Sequence, residues 1–498
     1  MLLLLLSCLL ERALLRPRAA WRRPAACWLL HAGSLLALAA AGLALTGRPL
    51  FAVAQALAWW LFILVVNRVK LAALREPFIF QDFEYFLDML RHPRLYIPFF
   101  GYANAALGLS GAALLIGGAL YFEPVRLSPF AGPGYFIVMA LAVALAGGLL
   151  LAGWHGVKRV RVGFDAGADL QALGLVGAMW RYALAERERP AFAPAVLPGG
   201  IAATGMPHLV AVQSESFFDA RRAWPGIAPH VYAWLDQARA GAMMHGTLEV
   251  PAWGANTVRS EFAFLSGQRE QALGVHRFNP YRCLRDVPVF VHALREAGYR
   301  TVCVHPYARG FYRRSEVFPT LGFDEFIDVE AFEATDRAGP YVGDVALARK
   351  VSELLERSGR PTFVFVISME NHGPLHLEQA SAREMADTGG AGAPDLAVYL
   401  RHVRNAGRML EILQQTLRSL PRAGWLCWYG DHVPILPQAY AAAGFEDSRT
   451  DYFIWSSRHE PRRDGMPARP LEMHALARAW LAAVQDAAGH DGRGSHAA

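Results

Sequence analysis

Residues 424 to 434 read GWLCWYGDHVP. Trp425 to Tyr429 form an unbroken apolar run between two glycines, the pattern of a strand buried on both faces, as strands inside parallel sheets are. Immediately beyond Gly430 stand an acid and an imidazole, Asp431 and His432. Taken alone, such a pair reads as a solvated loop. Its position gains meaning only if other strands end in the same way.

Three others do. PHLVAVQ runs into Ser214, Glu215 and Ser216; RTVCV runs into His305; PTFVFVIS runs into Glu370, Asn371 and His372. Helical stretches such as HVYAWLDQARAG, VFVHALREAGY, DVALARKVSELLERSG and VRNAGRMLEILQQTLRSL alternate with these runs, so from about residue 206 the chain reads as an α/β domain with a mainly parallel central sheet. In such sheets the site lies beyond the carboxyl ends of the strands. Four apolar runs that end there in metal-capable or acid-base groups favour a built site.

Glu215, Asp431 and His432 supply two carboxylates and one imidazole, a ligand set suited to Mn, Mg or Zn that leaves a coordination position open. In WGANTVRSEFAFLSG, Asn256 can cap a helix beginning near Thr257, whose hydroxyl then sits at the positive end of the helix dipole, where a nearby metal further favours the alkoxide. Each residue also has a plainer reading. Thr257 is a common capping residue, His372 in SMENHGP a loop histidine, Glu215 an ordinary acid at a helix start. VHPYARGFYRR, with His305 and Arg314, reads either as a solvated basic turn or as an anion-binding cluster in which arginine offers a bidentate fork.

The first third of the chain differs in kind. With 498 residues, 54% of them hydrophobic, the chain is too long for one ordinary domain and too apolar to be wholly soluble. Residues 26–46, 50–66, 102–121 and 134–154 carry no formal charge and approach the length of a bilayer core, the second only barely. The opening MLLLLLSCLLERALL reads as a truncated fifth span or a signal-like segment. Between the second and third spans, the segment from KLAALREPFIFQDF to YIPFF reads as interfacial. The expected division is a multi-span domain of four to five helices over 1–155, a juxtamembrane helix and linker over 156–205, a catalytic domain over 206–486 and a disordered tail over 487–498.

The net charge of +6 comes mostly from arginines beside the spans, which favours contact with anionic headgroups over nucleic acid, for which no motif is present, so no nucleic-acid partner is expected. Five cysteines give no disulfide framework, and nothing in the sequence sets an oligomeric state.

The ordered set VQSESF, GANTVRSEF, VHPYARGFYRR, SMENHGP and WYGDHVP resembles the sulfatase-like, alkaline-phosphatase-superfamily domain of lipoteichoic acid synthases and related bacterial phosphoglycerol transferases, over about residues 206 to 460. The preceding multi-span region, with REPFIFQDF, looks like that family's membrane domain. The resemblance implies that Glu215, Thr257, Asp431 and His432 hold one divalent metal, most often manganese, with magnesium or zinc as alternatives. It implies Thr257 as nucleophile, His372 at the phosphoryl group or leaving oxygen, and His305 and Arg314 on the phosphoglycerol head, where the neighbouring Arg313 could serve instead.

The reaction so implied moves glycerophosphate from phosphatidylglycerol, through a covalent phospho-threonine, to an envelope glycan or a polyglycerophosphate chain. A sulfatase proper needs Cys or Ser in a C/S-x-P-x-R context, which NTVRS lacks. A phosphoethanolamine transferase also uses threonine, but its domain is usually rich in disulfides. A non-catalytic glycan-binding protein is the reading from another class. The resemblance implies a multi-pass inner-membrane protein whose catalytic domain faces the periplasm or cell exterior. Basic residues before residue 24, between 68 and 94 and at 158–161 argue for the opposite face by the positive-inside rule. The resemblance is the more specific signal of the two.

Overall fold

The computed structural model describes residues 2–91, 93–127, 132–194, 206–458 and 467–494. The chain divides into two compact units, Met1–Arg189 and Pro190–Ala498. Residues 195–205 of the expected linker lie outside the described residues.

Among the described residues of the first unit, four helices are long and apolar enough to cross a membrane: Ala25–Thr46, Pro49–Leu74, Tyr102–Phe122 and Pro133–Val157. The second is longer than its uncharged core, because NRVKLAAL continues in good helix formers beyond the apolar run. The N-terminal helix Leu2–Leu14 has 13 residues, which at about 1.5 Å per residue falls well short of a bilayer core of about 30 Å. No residue of Tyr102–Phe122 is buried, and Leu107, Leu114 and Tyr121 stand exposed along it, as lipid-facing side chains do.

Within the segment expected to be interfacial, residues 78–82 pack into the protein itself. Phe78, Ile79, Gln81 and Asp82 are buried, Lys70 Nζ lies 2.7 Å from Asp82 and 3.1 Å from Glu76, and the Phe78 N–H donates to Asn67 Oδ1 at 2.8 Å. One lysine shared by two carboxylates satisfies the charges that the sequence alone would send toward water.

The second unit is built on an eight-stranded sheet ordered β10-β2-β9-β8-β1-β7-β3-β4. Its strands are β1 (His208–Ser214), β2 (Met244–Glu249), β3 (Arg300–Val304), β4 (Glu325–Ile327), β7 (Thr362–Ile367), β8 (Gly424–Gly430), β9 (Thr450–Ser456) and β10 (Leu471–Glu472); β5 (Arg337–Ala338) and β6 (Tyr341–Val342) form a separate ribbon. β9 runs antiparallel to both its neighbours, and every other neighbouring pair is parallel.

Side chains alternate between two cores, as the two-residue period of a strand requires. Val210, Val212, Val364, Val366, Leu426 and Trp428 pack with the helix Pro394–Ser419 on one face. Leu209, Ala211, Phe363, Phe365, Cys427 and Tyr429 pack with Phe264 of the helix Thr257–Ser266 and Trp480 of the helix Met473–Gly494 on the other. That last helix continues to Gly494, so residues 487–494 are helical where a disordered tail is expected; residues 495–498 lie outside the described residues. The alanine-rich run after Trp480 carries the helix on.

Candidate functional site

Register brings the first groups together. Ser214 pairs with Gly430 across β1 and β8, so the next residues, Glu215 and Asp431, leave the sheet side by side. Gln213 pairs with Ile367 across β1 and β7, and the following Ser368 accepts the Glu215 N–H on its Oγ at 2.9 Å. The chain turns at Ser216 with a φ of 54°, a left-handed conformation that costs a non-glycine residue about 1 kcal/mol. Two bonds hold it there. The Ser216 N–H donates to Asp431 Oδ1 at 2.9 Å and its hydroxyl donates to Glu215 Oε1 at 2.8 Å.

His432 completes the set. Its Nδ1 lies 3.1 Å from the Val433 carbonyl, which can only accept, so Nδ1 donates there and Nε2 is the ring nitrogen turned toward the carboxylates. That Nε2 stands 3.2 Å from Asp431 Oδ2 and 3.5 Å from Glu215 Oε1. Asp431 Oδ2 is buried and accepts no hydrogen bond. One ligand atom each from Glu215, Asp431 and His432 lies within 4.8 Å of the others, all three residues being buried. Converging lone pairs of this kind need a cation between them. Burial, and secondarily the Asp431 charge, raises the Glu215 carboxyl above the ordinary carboxylate range. One nitrogen and carboxylate oxygens suit a divalent ion of the Mn, Mg or Zn kind.

Thr257 opens the helix Thr257–Ser266, and its Oγ1 is 3.5 Å from His432 Nε2. Asn256 occupies the N-cap position with a φ of 68° but its side chain makes no capping bond, contrary to the expected role. Its left-handed backbone turns Thr257 into the site, and asparagine tolerates that conformation better than most residues. Ser260, one turn on, donates to the Asp431 carbonyl at 2.6 Å and fixes the helix start to the end of β8.

The remaining candidates form a second, contiguous group. Arg314 is 1% exposed, whereas Arg313 turns outward to pair with Glu316. The Arg314 guanidinium is gripped by the Glu261 carboxylate through Nη2 and Nε, and its Nη1 donates to His305 Nε2 at 3.1 Å. His305 Nδ1 faces the Ile367 carbonyl at 3.2 Å, so the ring is neutral, and burial together with the Arg314 charge pushes its pKa well below the usual histidine value. His372 is half-buried, with Nδ1 donating to the Gly373 carbonyl at 2.6 Å; burial lowers its pKa, and the charges of Asp431 and Arg314 act on it in opposite senses. The Tyr341 ring packs edge-on against it at 5.6 Å.

Glu261 and its partner Tyr281 escape a reading of the sequence. Glu261, fully buried, neutralises Arg314 and accepts the Tyr281 hydroxyl. Glu261 lies four residues after Thr257, hence on the same helix face, and that spacing was the one available signal.

Residues 207–485 match the sulfatase family model. The capsular polysaccharide biosynthesis protein RkpI of Rhizobium meliloti is 30% identical over 465 residues, spanning 86% of this chain and 82% of that protein. Lipoteichoic acid synthase 1 of Bacillus subtilis is 24% identical over 145 residues, 28% of this chain and 22% of that protein. Among solved structures, the lipooligosaccharide phosphoethanolamine transferase A of Neisseria meningitidis, an integral membrane protein, aligns with a TM-score of 0.53 at 13% identity, covering 86% of this chain and 83% of that one.

Proposed function

From a chain that belongs to the sulfatase family of the alkaline phosphatase superfamily, we propose a membrane-bound phosphoglycerol transferase that moves glycerophosphate from phosphatidylglycerol to an envelope glycan or polyglycerophosphate acceptor. The observation that carries the reading is the Thr257 hydroxyl at a helix N-terminus, 3.5 Å from His432 Nε2 and beside the converging carboxylates of Glu215 and Asp431.

Glu215, Asp431, His432 and the Thr257 oxygen are the groups that hold a divalent ion, for which manganese is the proposed identity. When bound, that ion lowers the pKa of the threonine hydroxyl and neutralises charge on phosphoryl oxygens. The helix dipole adds to the same effect on Thr257. Thr257 loses its hydroxyl proton to solvent and Oγ1 attacks phosphorus, the phosphorus–oxygen bond to diacylglycerol breaks, and the leaving oxygen takes a proton delivered from solvent through the half-buried His372, which acts as donor in its imidazolium form. The acceptor hydroxyl then gives its proton to the now neutral His372 and its oxygen displaces Thr257, which leaves phosphorus as the alkoxide.

His305 and Arg314 bind the phosphoglycerol head. Because Glu261 offsets much of the Arg314 charge, this corner suits the single negative charge of a phosphodiester better than a dianionic monoester. The four membrane-competent helices keep the polypeptide in the phase that dissolves a lipid donor. The similarity to RkpI, a capsular polysaccharide biosynthesis protein, supports an envelope glycan as acceptor, and an acceptor of that kind would place the catalytic unit on the periplasmic face of the inner membrane.

Full-length protein with manganese and headgroup-labelled phosphatidylglycerol should release diacylglycerol, and Thr257→Ala should reduce release by about a thousandfold or more. Full activity in the alanine variant would remove Thr257 from the nucleophile role. Turnover of phosphatidylethanolamine in place of phosphatidylglycerol would favour a phosphoethanolamine transferase. A reporter fused after residue 190 tests orientation: periplasmic activity alone supports it, and cytoplasmic activity alone contradicts it.

A further inference from the structure

Behind the loop that follows β7 lies a buried polar cluster that the proposed reaction does not use. The Glu370 carboxylate, 1% exposed, accepts the Asp344 N–H at 2.7 Å on Oε2, and His402 Nδ1 at 2.8 Å and the Asn405 amide on Oε1. His402 Nε2 lies 3.1 Å from Glu378 Oε1, and Arg401 donates to Glu378 Oε2 at 2.9 Å. Both ring nitrogens of His402 therefore face carboxylates, which only accept, and the ring is an imidazolium. Burial pulls its pKa down, but the bonds to Glu370 and Glu378 outweigh that and raise it to about 9.

What this clamp holds is the segment that touches the site. Ser368 Oγ accepts the Glu215 N–H at 2.9 Å, and Asn371 Nδ2 donates to the Glu215 carbonyl at 3.2 Å, so both polar groups of the Glu215 residue's backbone are held from residues 368 and 371. Glu370 sits between those two residues and His372 follows them. A carboxylate anchored by the helices Asp344–Glu356 and Pro394–Ser419 thus fixes the one loop that positions a proposed metal ligand and presents a proposed acid.

We propose that His402 is a positioning residue: as the cation bridging Glu370 and Glu378, it holds residues 368–372 in the place where Asn371 and Ser368 seat Glu215 and where His372 meets the reacting phosphoryl group. It acts through Glu370 and touches no substrate. The kinetic part of this inference rests on the phosphoglycerol transferase reading, whereas its structural part does not.

The test compares full-length His402→Gln with Val403→Ala, a change to a buried apolar neighbour in the same helix that makes no bond to Glu370. Amide hydrogen exchange on the detergent-solubilised proteins should accelerate over residues 368–372 in His402→Gln, with β1 and β8 still protected, and should leave that segment unchanged in Val403→Ala. In the lipid assay, kcat should fall about tenfold or more in His402→Gln with KM for phosphatidylglycerol within about twofold, as expected when a reacting group is misplaced and uniform binding is kept. Unchanged exchange over 368–372, or equal effects of the two substitutions, would overturn the positioning role. If the wild type releases no diacylglycerol, the transferase reading fails, and the exchange comparison still decides the role of His402.

Discussion

A β-carbon at residue 430 would stand 1.8 Å from the Phe217 carbonyl oxygen. Glycine is therefore required there by the close approach of the β1 turn to the end of β8, and that approach is also what brings Glu215 against Asp431. Gly430→Ala should push the two turns apart, with a cost of about 1–3 kcal/mol and a clear loss of manganese affinity, read by thermal unfolding with and without the metal. Unchanged affinity would mean that the ligand set is not built on this contact. At this scale the sequence was informative where a group follows a strand directly: Glu215, Asp431, His432 and His305 are all strand-end residues. It was silent where partners come from far along the chain. Glu261 looks like any helix acid until Arg314 arrives from beyond β3, and Arg313 and Arg314 are told apart only by which one is buried. Asn256 bears the signature of a side-chain cap, yet the backbone turn that aims Thr257 takes precedence.

Among the elements, β1, β3, β7 and β8 were legible because each is an apolar, largely buried run between turn residues, whereas the short β4 and β10 were not. Strand order was not, since pairing of β1 with both β7 and β8 joins segments more than 150 residues apart. The inward fold of residues 78–82 was also hidden, because it depends on one lysine meeting two acids. The helix Pro394–Ser419 carries a consequence for pH. His402 has a folded pKa of about 9 against an ordinary value of 6.5, so its stabilising contribution is complete below about 6.5 and is lost as pH rises through 9; the difference is worth about 3 kcal/mol. His305 has the opposite sign: held neutral, it favours the fold above its ordinary value and opposes it as the solution is acidified. Thermal unfolding of the full-length protein should therefore be most resistant between these limits, and His402→Gln should flatten the alkaline limb in particular. An alkaline limb of the same steepness in that variant would show that His402 is not its source.

For the whole molecule, one polypeptide carries both a unit with four membrane-competent helices and a sulfatase-like unit, an arrangement suited to the proposed donor, which cannot leave the bilayer. The apolar spans were visible by length and charge alone, and the α/β unit by alternation. The central claim is that Thr257 carries the transferred group. Its most direct measurement is mass spectrometry of the Thr257-containing peptide after the full-length protein is mixed with phosphatidylglycerol and manganese and quenched before an acceptor is added. The expected result is a glycerophosphate adduct on Thr257 that disappears when an acceptor glycan is supplied. Release of diacylglycerol with Thr257 unmodified, or an adduct on another residue, would contradict it.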